Sequence, residues 1–396
     1  MPSGQMPAVA GCAVTMHSFY EFFAGGGMVR AGLGKDWNCL CANDIDPKKG
    51  ASYVRNWGTD DLKLQDVGAL STADLPGCAD LAWASFPCQD LSLAGDYVGL
   101  KGARSGTFWG FWALMEALAD EGRPPAVIVV ENVCGALTSH DGKDFASIVE
   151  AIVGCGYRFG ALVVDAACFV PQSRPRLFIV AVHHTRTLPK SLEAIGSNPS
   201  WHPDNLIGAY NKLPRRSREA WIWWNLPQPP ARDSTFADLI EKEPQGIEWH
   251  STAETRRLLE LMSPINREKV EKAKRAKRRT VGAIYKRTRK NENGERAQRA
   301  EIRFDDIAGC LRTPVGGSSR QSIMIVEGNR VRSRLLSPRE AARLMGLPET
   351  YKLPSNYNEA YHLSGDGVVV PVVRYLAAHL LEPLLAVVTT HGKEAA

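Results

Sequence analysis

Alternation of short apolar runs with longer amphipathic stretches is the feature that most constrains the fold of this chain. Between Ser18 and about Val182, six short apolar runs predict strands and two amphipathic stretches predict helices. The strand candidates are HSFYEFFA, NCLCAND, ADLAWASF, AVIVVEN, ALVVDAA and RLFIVAV, and the helix candidates are GTFWGFWALMEALADEG and DFASIVEAIVGCG. Strands that alternate with helices indicate an α/β fold with a mostly parallel sheet. We therefore expect a doubly wound α/β domain.

A second region breaks this alternation. From about residue 185 the chain becomes rich in Pro, Trp, Arg and Lys, as in WIWWNLPQPP and KRAKRRT. The later segments LSPREAARLMGLP and VVVPVVRYLAAHLLEPLLAVV are strongly helical, and the last is apolar enough to pack on the sheet. A chain of 396 residues exceeds the usual size of one domain. We predict a larger domain of residues 1–185 plus 361–396 and a smaller, irregular domain of residues 186–360.

Composition argues against several classes of protein. A hydrophobic content of 44% and a charged content of 23% are ordinary for a soluble globular chain. No run of about 18 apolar residues occurs, and no basic N-terminal segment precedes a long apolar one, so we expect neither a membrane span nor a secretory signal. The nine cysteines form no C-x-x-C pair. We therefore expect a reducing, cytoplasmic location and no metal site.

The net charge of +5 is unevenly distributed along the chain. The stretch from Arg267 to Arg303, here called the basic block, contains 15 Lys and Arg against 5 Glu, a net +10 in 37 residues. The rest of the chain is left at about −5. Such a block is either a solvated helix face or a surface that binds phosphate groups.

A glycine-rich turn follows the first predicted strand in FFAGGGMVRAGL and predicts a ligand site at a helix N-terminus. Arg30 stands where a dinucleotide-binding turn has its last Gly, which argues against a nucleotide-dependent oxidoreductase. Asp44 lies 19 residues after Gly25, where an acid accepts hydrogen bonds from ribose hydroxyls, and Asp66 follows the presumed third strand. The turn and two acids suit an adenosine, although both acids are also explained as ordinary loop and cap carboxylates.

Four side chains that can take part in a reaction lie at the ends of neighbouring predicted strands. Ligand sites of open α/β sheets are usually found there. Cys88 follows a strand in WASFPCQ, Glu131 leaves an apolar run in VVENV, and two arginines two residues apart enter a strand in VPQSRPRLFIVAV. Arg174 and Arg176 share one face of that strand, so both can reach one cavity. A lone cysteine is usually a small buried hydrophobe. A thiol, a carboxylate and two arginines together are hard to explain as packing.

Six segments in one order resemble the motifs of the DNA cytosine-C5 methyltransferases of prokaryotic type. They are FAGGG, FPCQ, ENV, QSRPR, RLLSPREAARLMGLP and GDGVVVPVVRYLAAHL. The resemblance implies a doubly wound, Rossmann-like methyltransferase domain that uses S-adenosylmethionine, with a target-recognition domain between the paired arginines and the SPRE segment. The basic block falls in that second domain, so the resemblance favours contact with phosphates.

The resemblance also implies roles for the residues at the strand ends. Cys88 would be the thiolate that adds to C6 of cytosine and so makes C5 nucleophilic, while Glu131 holds a proton at N3. Arg176 would bind O2 of the cytosine, and Arg174 would support the thiolate end of the site. Because C5 is out of reach inside a duplex, we expect the cytosine to flip out and the loop 89–105 to close over it.

Further contacts follow from the same resemblance. The implied cofactor contacts are Phe23, Gly25, Gly27, Asp44, Ile45, Asp66, Val67, Pro87, Asp366 and Gly367. The candidate DNA contacts are Gln89, Ser92, Arg320 and Gln321, the last two as possible readers of base edges. We expect a monomer whose partner is double-stranded DNA and which associates with the nucleoid through it. A cognate restriction endonuclease, where one exists, would act independently.

Three departures from the family pattern are visible, and none removes a residue essential to the chemistry. Asp366 stands after Gly365 where the family usually has Asn, which puts the cofactor contact there in doubt. Cys310 replaces the Thr of a common Thr-Leu pair and removes a hydroxyl that could hold a phosphate. Asp90 places a negative charge near the DNA.

Two other functions stay open at this stage. An RNA cytosine-C5 methyltransferase would use the same scaffold, although the long basic second domain and the PCQ motif favour DNA. A DNA-binding regulator without turnover would keep the fold, but it has no need for an intact set of Cys88, Glu131 and Arg176.

Overall fold

The computed structural model describes residues 16–87, 106–229, 231–290, 294, 296–313 and 320–386. Seven strands form its larger sheet: β1 (His17–Phe22), β2 (Trp37–Asp44), β3 (Leu62–Leu64), β4 (Leu81–Ala84), β5 (Val127–Val133), β6 (Tyr157–Asp165) and β7 (Pro175–His183). Their order in the sheet is β3-β2-β1-β4-β5-β7-β6. Every strand expected from the sequence is present, and the prediction of an α/β sheet is confirmed.

The direction of β7 brings the candidate site together. Strands β1 to β5 pair in parallel, whereas β7 runs antiparallel to both of its neighbours. The start of an antiparallel strand lies at the same edge of the sheet as the carboxyl ends of the parallel strands. The register pairs Val133, the last residue of β5, with Arg176. The arginines that precede and begin β7 therefore lie beside the residues that end β5.

Helices cover both faces of this sheet, as a doubly wound fold requires. Successive side chains on a strand point to opposite faces. In β5, Val127 and Val129 join one apolar cluster while Ile128 and Val130 join the other. The helices are α1 (Met28–Leu33), α2 (Pro47–Trp57), α3 (Thr107–Asp120), α4 (Lys143–Gly154), α5 (Asp204–Lys212), α6 (Arg215–Glu219), α7 (Thr252–Glu260), α8 (Pro264–Arg275), α9 (Pro338–Leu344), α10 (Tyr357–Asp366), α11 (Val370–Leu376) and α12 (Glu382–Ala386).

The C-terminal helices return to the larger sheet. Helix α11 packs on α1, where a Cβ added to Gly32 would lie 2.5 Å from Cβ of Val373. In the described part of the chain, one helical run, Tyr357–Ala386, is long and apolar enough to cross a membrane by length and composition. In its most apolar window, 61% is buried inside the protein. The expected packing of this segment on the sheet is therefore present.

The second sheet is smaller and antiparallel. Its strands are β8 (Thr280–Lys290), β9 (Arg296–Arg303), β10 (Ser322–Glu327) and β11 (Arg330–Leu335), in the order β11-β10-β8-β9. Val270 of α8 packs with Ile284, Ile302 and Met324 in a small apolar core. This region is more regular than the sequence analysis expected, because β8 and β9 bury one face and expose a charged one.

The residues between the two sheets lie along the edge strand β6. The backbone NH of Ile222 donates to the Phe159 carbonyl at 2.6 Å, and that of Val163 donates to the Trp201 carbonyl at 2.8 Å. This segment therefore packs with the larger sheet, although the sequence analysis grouped it with the second domain. The division at residue 186 stays a prediction.

Candidate active site

A carboxylate and a guanidinium meet where β5 ends and β7 begins. The Arg176 Nε lies 3.3 Å from the Glu131 Oε1, and their side chains are 15% and 9% exposed. Arg176 also donates to the Pro175 carbonyl at 2.9 Å. The structure thus brings together two of the four residues that the sequence analysis placed at the strand ends.

The chain that leads to Cys88 is tied to the same place. The Asn132 side-chain amide donates to the Phe86 carbonyl at 3.1 Å, next to Glu131 in sequence. Pro87 is described and exposed, whereas Cys88, Gln89 and Ser92 lie outside the described residues. Their assigned roles therefore stay predictions.

Arg174 is buried and makes contacts different from those of Arg176. It is 2% exposed, and its backbone NH donates to the Asp165 carboxylate at 2.7 Å. One Nη donates to the Leu311 carbonyl at 3.0 Å, and the other donates to the carbonyls of Gly365 and Gly367 at 2.7 and 2.8 Å. Burial, with the nearby charge of Arg176, lowers the pKa of Arg174 to about 10. Arg174 therefore braces two backbone segments.

The segment 308–311 is joined to the residues that precede β7. The Ser173 NH donates to the Ala308 carbonyl at 2.9 Å, and the Gln172 side-chain oxygen accepts from the Leu311 NH, also at 2.9 Å. The Gly309 NH donates to the Tyr285 hydroxyl, and a Cβ at Gly309 would overlap that hydroxyl. Residue 309 must therefore be Gly for the chain to pass this close to the tyrosine.

A cavity of about 610 Å³ lies between these segments and the second sheet. Ser173, Pro175 and Cys310 line it from the side of the larger sheet. Its charged residues are mostly basic: Lys269, Lys286, Arg287, Arg303 and Arg312, against Glu301. Four of these five basic residues belong to the basic block. Such a cavity, which Pro175 lines next to Arg176 in sequence, has the charge that attracts a polyanion.

The glycine turn and Asp44 form a second candidate site at the carboxyl ends of β1 and β2. Gly25 and Gly27 have φ values of 57° and 75°, in the left-handed region that favours glycine. The Gly25 NH donates to the Asp44 carboxylate at 2.8 Å. A Cβ placed at Gly25 meets no atom within 4 Å. The turn is therefore held by Asp44 and borders open space where a ligand fits.

Other predicted cofactor contacts follow the ends of β1, β2 and β3. Ile45 is 62% exposed, which is unusual for a large apolar residue and leaves a flat apolar surface beside Asp44. The Asp66 carboxylate accepts from the Gly68 NH at 2.7 Å, and Val67 is buried. Phe23, with a φ of 59°, lies near the end of β1. These residues offer the acids and apolar surface that an adenosine requires.

The terminal motif reaches the same region through Asp366. Its carboxylate lies 2.8 Å from the Lys49 Nζ and also accepts from the Thr313 hydroxyl. A Cβ at Gly367 would overlap the Met28 sulfur, so that the residue is fixed by packing. The departure from the family pattern at position 366 thus introduces an ion pair to α2.

The two predicted readers of bases are placed differently from one another. Arg320 donates to the Asn358 side chain and lies over the Tyr357 ring. Gln321 is 3% exposed, and its side-chain amide has no hydrogen-bond partner among the described residues. Contact between Gln321 and a base edge would therefore need a rearrangement, and both roles stay predictions.

Two residues at the site were not predicted to act there. Glu21 in β1 is buried, and the Val29 NH donates to it at 3.3 Å, while its other oxygen has no partner among the described residues. Burial raises the pKa of Glu21 to about 8. Cys310 lies against both arginines, and the sequence signal was its replacement of the family's Thr. Across the described ranges, no three His, Cys, Asp or Glu residues form a group that could hold a metal ion.

Comparisons with known proteins agree along the whole described chain. A family model described as C-5 cytosine-specific DNA methylase matches residues 17–382. The Type II methyltransferase M.HpaII of Haemophilus parainfluenzae is 26% identical over 389 residues, covering 93% of this chain and 90% of that protein. M.NlaX of Neisseria lactamica, also a Type II methyltransferase, is 25% identical over 377 residues, covering 94% and 98%. The structure of S. pombe Dnmt2 methyltransferase aligns with a TM-score of 0.59 at 18% identity, covering 93% and 99%.

Proposed function

Because the chain belongs to the C-5 cytosine-specific DNA methylase family and is a DNA (cytosine-5-)-methyltransferase, we propose that it methylates C5 of a flipped-out cytosine within a specific sequence of double-stranded DNA. The observation that carries the proposal is the Glu131–Arg176 pair at the sheet edge, beside the segment that leads to Cys88. S-adenosylmethionine supplies the methyl group.

Each residue at the strand ends has a step in this chemistry. The Cys88 thiolate adds to C6 of cytosine, and the ring becomes an enamine whose C5 can attack a methyl group. Glu131 holds a proton at N3 and so stabilises the negative charge that the addition places on the ring. Arg176 donates to O2 and keeps the base in register with Glu131. After C5 has taken the methyl group, a base, for which water suffices, removes the C5 proton; the C5–C6 double bond re-forms and the C6–S bond breaks, which releases the Cys88 thiolate.

The glycine turn is the proposed seat of the cofactor. Asp44, which holds the turn, would accept from the ribose hydroxyls, and the exposed Ile45 would offer an apolar surface to the adenine. Asp66, Val67 and Asp366 would supply further contacts, with Asp366 held by Lys49. Phe23, Gly27, Pro87 and Gly367 complete the proposed contacts.

Arg174 takes a positioning role in this proposal. Its guanidinium donates to carbonyls of Leu311, Gly365 and Gly367, which belong to segments bordering the cavity and the cofactor turn. It therefore keeps the target site and the cofactor site in a fixed relation. This role differs from the expected support of the thiolate, because both of its Nη atoms are already used by the protein.

The basic cavity supports double-stranded DNA as the partner. Phosphates of a duplex would meet Lys269, Lys286 and Arg303, while the target base turns towards Arg176. Two relatives have names that identify them as Type II methyltransferases, which supports methylation of a short specific sequence. A cognate restriction endonuclease would act separately, and we propose that this chain works as a monomer.

Base-resolution mapping of 5-methylcytosine tests the proposal. DNA is taken from cells that express the chain and from cells that express Cys88→Ser at the same level. We expect methylation of one short motif with the intact protein only, because serine is a much poorer nucleophile at neutral pH. Equal methylation in both samples would remove Cys88 from the mechanism.

Soluble wild-type protein that adds no 5-methylcytosine to DNA would contradict the proposed substrate. Total RNA from the same cells would then be mapped in the same way. New 5-methylcytosine in RNA alone would establish the RNA alternative, and none in either nucleic acid would favour a regulator without turnover.

A further inference from the structure

The Cys310 sulfur lies between the two guanidinium groups of the site. Its Sγ is 3.2 Å from an Arg174 Nη and 3.8 Å from an Arg176 Nη. Arg176 also contacts Glu131 through its Nε. The four side chains therefore form one continuous cluster of two cations, one carboxylate and one thiol.

The sulfur is held in place by the chain around it. Leu311, the next residue, is fixed by the Gln172 side chain and by Arg174, and Gly309 is fixed by the Tyr285 hydroxyl. Cys310 also lines the basic cavity, so that its sulfur lies between the arginines and the proposed path of the DNA. Contacts on both sides of Cys310 thus position its sulfur against the arginines.

The surroundings of Cys310 favour its charged form. Burial raises the pKa of the thiol, but Arg174 and Arg176 together outweigh burial and lower the pKa below that of an ordinary cysteine. Tyr285 and Tyr361 face the sulfur from the second sheet and from α10. Outside the cluster itself, the titratable groups that face it include Cys134, Asp165, Tyr285, Lys286, Arg303 and Tyr361.

A charge count shows what a thiolate would change. With a neutral thiol, Arg174, Arg176 and ionised Glu131 sum to +1, and adding the catalytic proton to Glu131 raises the cluster to +2. With a thiolate at Cys310, the same proton raises the cluster only from 0 to +1. Accumulating like charge in a largely buried site is unfavourable. The thiolate therefore makes it easier for Glu131 to hold a proton.

We propose that Cys310 is a positioning residue whose thiolate balances the two arginines and so allows Glu131 to carry the proton at cytosine N3. The inference rests on the proposed function and deepens it. It gives a chemical reason for the Cys in place of Thr: a charge is added at the position where the family has a neutral hydroxyl.

Variants that separate charge from shape test the inference. Cys310→Ser keeps the size of the side chain and removes the negative charge, and Cys310→Asp restores a negative charge. Cys78→Ser is the control, because Cys78 is exposed and lies near the start of β1, at the end of the strands opposite to the candidate active site. The measurement is the single-turnover rate of methyl transfer to DNA carrying the mapped motif, between about pH 6 and 10, a range that spans the ordinary cysteine pKa.

The rate of methyl transfer should decline at alkaline pH, and in Cys310→Ser we expect this decline to begin about one pH unit lower than in the wild type. At a pH within the declining range, the variant should be slower than the wild type by roughly tenfold. The KM for DNA should stay within about twofold, since the effect is on proton retention and not on phosphate contact. Cys310→Asp should return the alkaline limb towards that of the wild type, and Cys78→Ser should match the wild type. The inference would be overturned if the alkaline decline of the rate were the same in Cys310→Ser as in the wild type. It would also be overturned if Cys310→Asp did not move that decline back towards the wild-type pH.

Ultraviolet absorbance of the thiolate gives a second test that needs no turnover. In a Cys88→Ser background, the difference between Cys310 and Cys310→Ser reports this one sulfur. We expect it to titrate below about 8.5, the ordinary cysteine value. Titration at or above that value would overturn the inference even if the variants are inactive. If the wild type methylates DNA but its pH–rate profile coincides with that of Cys310→Ser, the inference about Cys310 fails and the proposed function stands. If the wild type methylates no DNA, the proposed function itself fails.

Discussion

Two arginine–carboxylate pairs in this chain differ in how fully they are buried and in how many contacts join the two side chains. Arg334 and Glu340 have no exposed side-chain surface and make two bonds of 2.8 and 2.6 Å. Arg176 and Glu131 make one contact at 3.3 Å and keep 15% and 9% of their side chains exposed. The first pair has the geometry of a fixed joint, whereas the second leaves room for a ligand. Incomplete satisfaction of a buried charge is thus informative about function.

The surroundings of the two carboxylates sharpen this contrast. Glu340 also accepts from the backbone NH groups of Ser337 and Glu241, at 2.7 and 2.8 Å, and so caps α9. Among the described residues, the structure records one contact for the Glu131 carboxylate, with Arg176. The SPRE carboxylate is therefore fully used by the protein, whereas the ENV carboxylate keeps room for a ligand, as its proposed role in the chemistry requires.

The largest expected effect is on turnover in Glu131→Gln. The amide cannot carry the proton between the side chain and N3, so we expect methyl transfer to fall by about 10²–10⁴-fold. The free energy of unfolding should change by only about 1 kcal/mol, since Arg176 keeps the Pro175 carbonyl as an acceptor. Single-turnover kinetics and urea unfolding of the same preparation measure both. A mild loss of rate would assign the proton to another group.

The opposite result is expected for Glu340→Gln. Removing one charge from a fully buried pair leaves Arg334 uncompensated, and we expect a loss of about 3–5 kcal/mol in the free energy of unfolding. Protein that remains folded at low temperature should methylate at nearly the wild-type rate. Glu349→Gln is the matched control, because this carboxylate is 63% exposed in its contact with Arg343 and should lose under about 1 kcal/mol. Equal losses in both variants would remove the contrast between closed and open pairs.

A third carboxylate, Glu21, is buried and has no cation bonded to it among the described residues. Burial raises the pKa of Glu21 from 4.5 to about 8, and Arg30 offsets this only in part. Between those values the folded protein holds a proton that the unfolded chain has lost, so stability falls as the pH rises. One proton gives a slope approaching about 1.4 kcal/mol per pH unit.

Glu21→Gln removes this titratable group, so the free energy of unfolding should decrease less steeply as the pH rises. Urea unfolding of the wild type and the variant at several pH values between 5 and 8 gives the difference in slope directly, and other titrating groups cancel in the comparison. Parallel curves would show that Glu21 stays ionised in the folded protein.

Local patterns were sufficient for the larger sheet and for which residues gather at its edge. Apolar runs bounded by polar ends predicted six of the seven strands, all except the short β3, and the motifs placed Glu131 and Arg176 at strand ends. Their contact could not be predicted from periodicity, because it depends on β7 running antiparallel to β5. The fine geometry of the site follows from topology.

The position of Cys310, the burial of Glu21 and the strands β8 and β9 could not be predicted from the sequence, each for a different physical reason. Cys310 is 136 residues from Arg174 along the chain, and only the folded second domain brings the sulfur to the arginines. Glu21 looks like any carboxylate in a strand until its burial is known. The strands β8 and β9 were missed because their exposed face is charged, which hides the alternation that marks a half-buried strand.

On that charged face, Arg287 is paired with the Glu301 carboxylate at 3.5 Å, whereas Arg299 has no carboxylate contact among the described residues. Arg287 and Arg299 lie directly opposite one another on β8 and β9, and both are exposed. Like charges in this arrangement destabilise a sheet slightly unless an anion compensates them. Glu301 supplies part of this compensation at Arg287, and the phosphate backbone of DNA is the proposed anion for Arg299.

Arg299→Gln is therefore expected to have the smallest effect on the protein and a defined effect on binding. The free energy of unfolding should change by no more than about 0.5 kcal/mol. If Arg299 contacts one phosphate, the slope of log affinity against log salt should become shallower by about 0.9. Arg216→Gln, on exposed α6, is the control and should leave the slope unchanged. A wild-type slope in Arg299→Gln would assign this arginine to a solvated face, because a cation that releases no counterion contacts no phosphate.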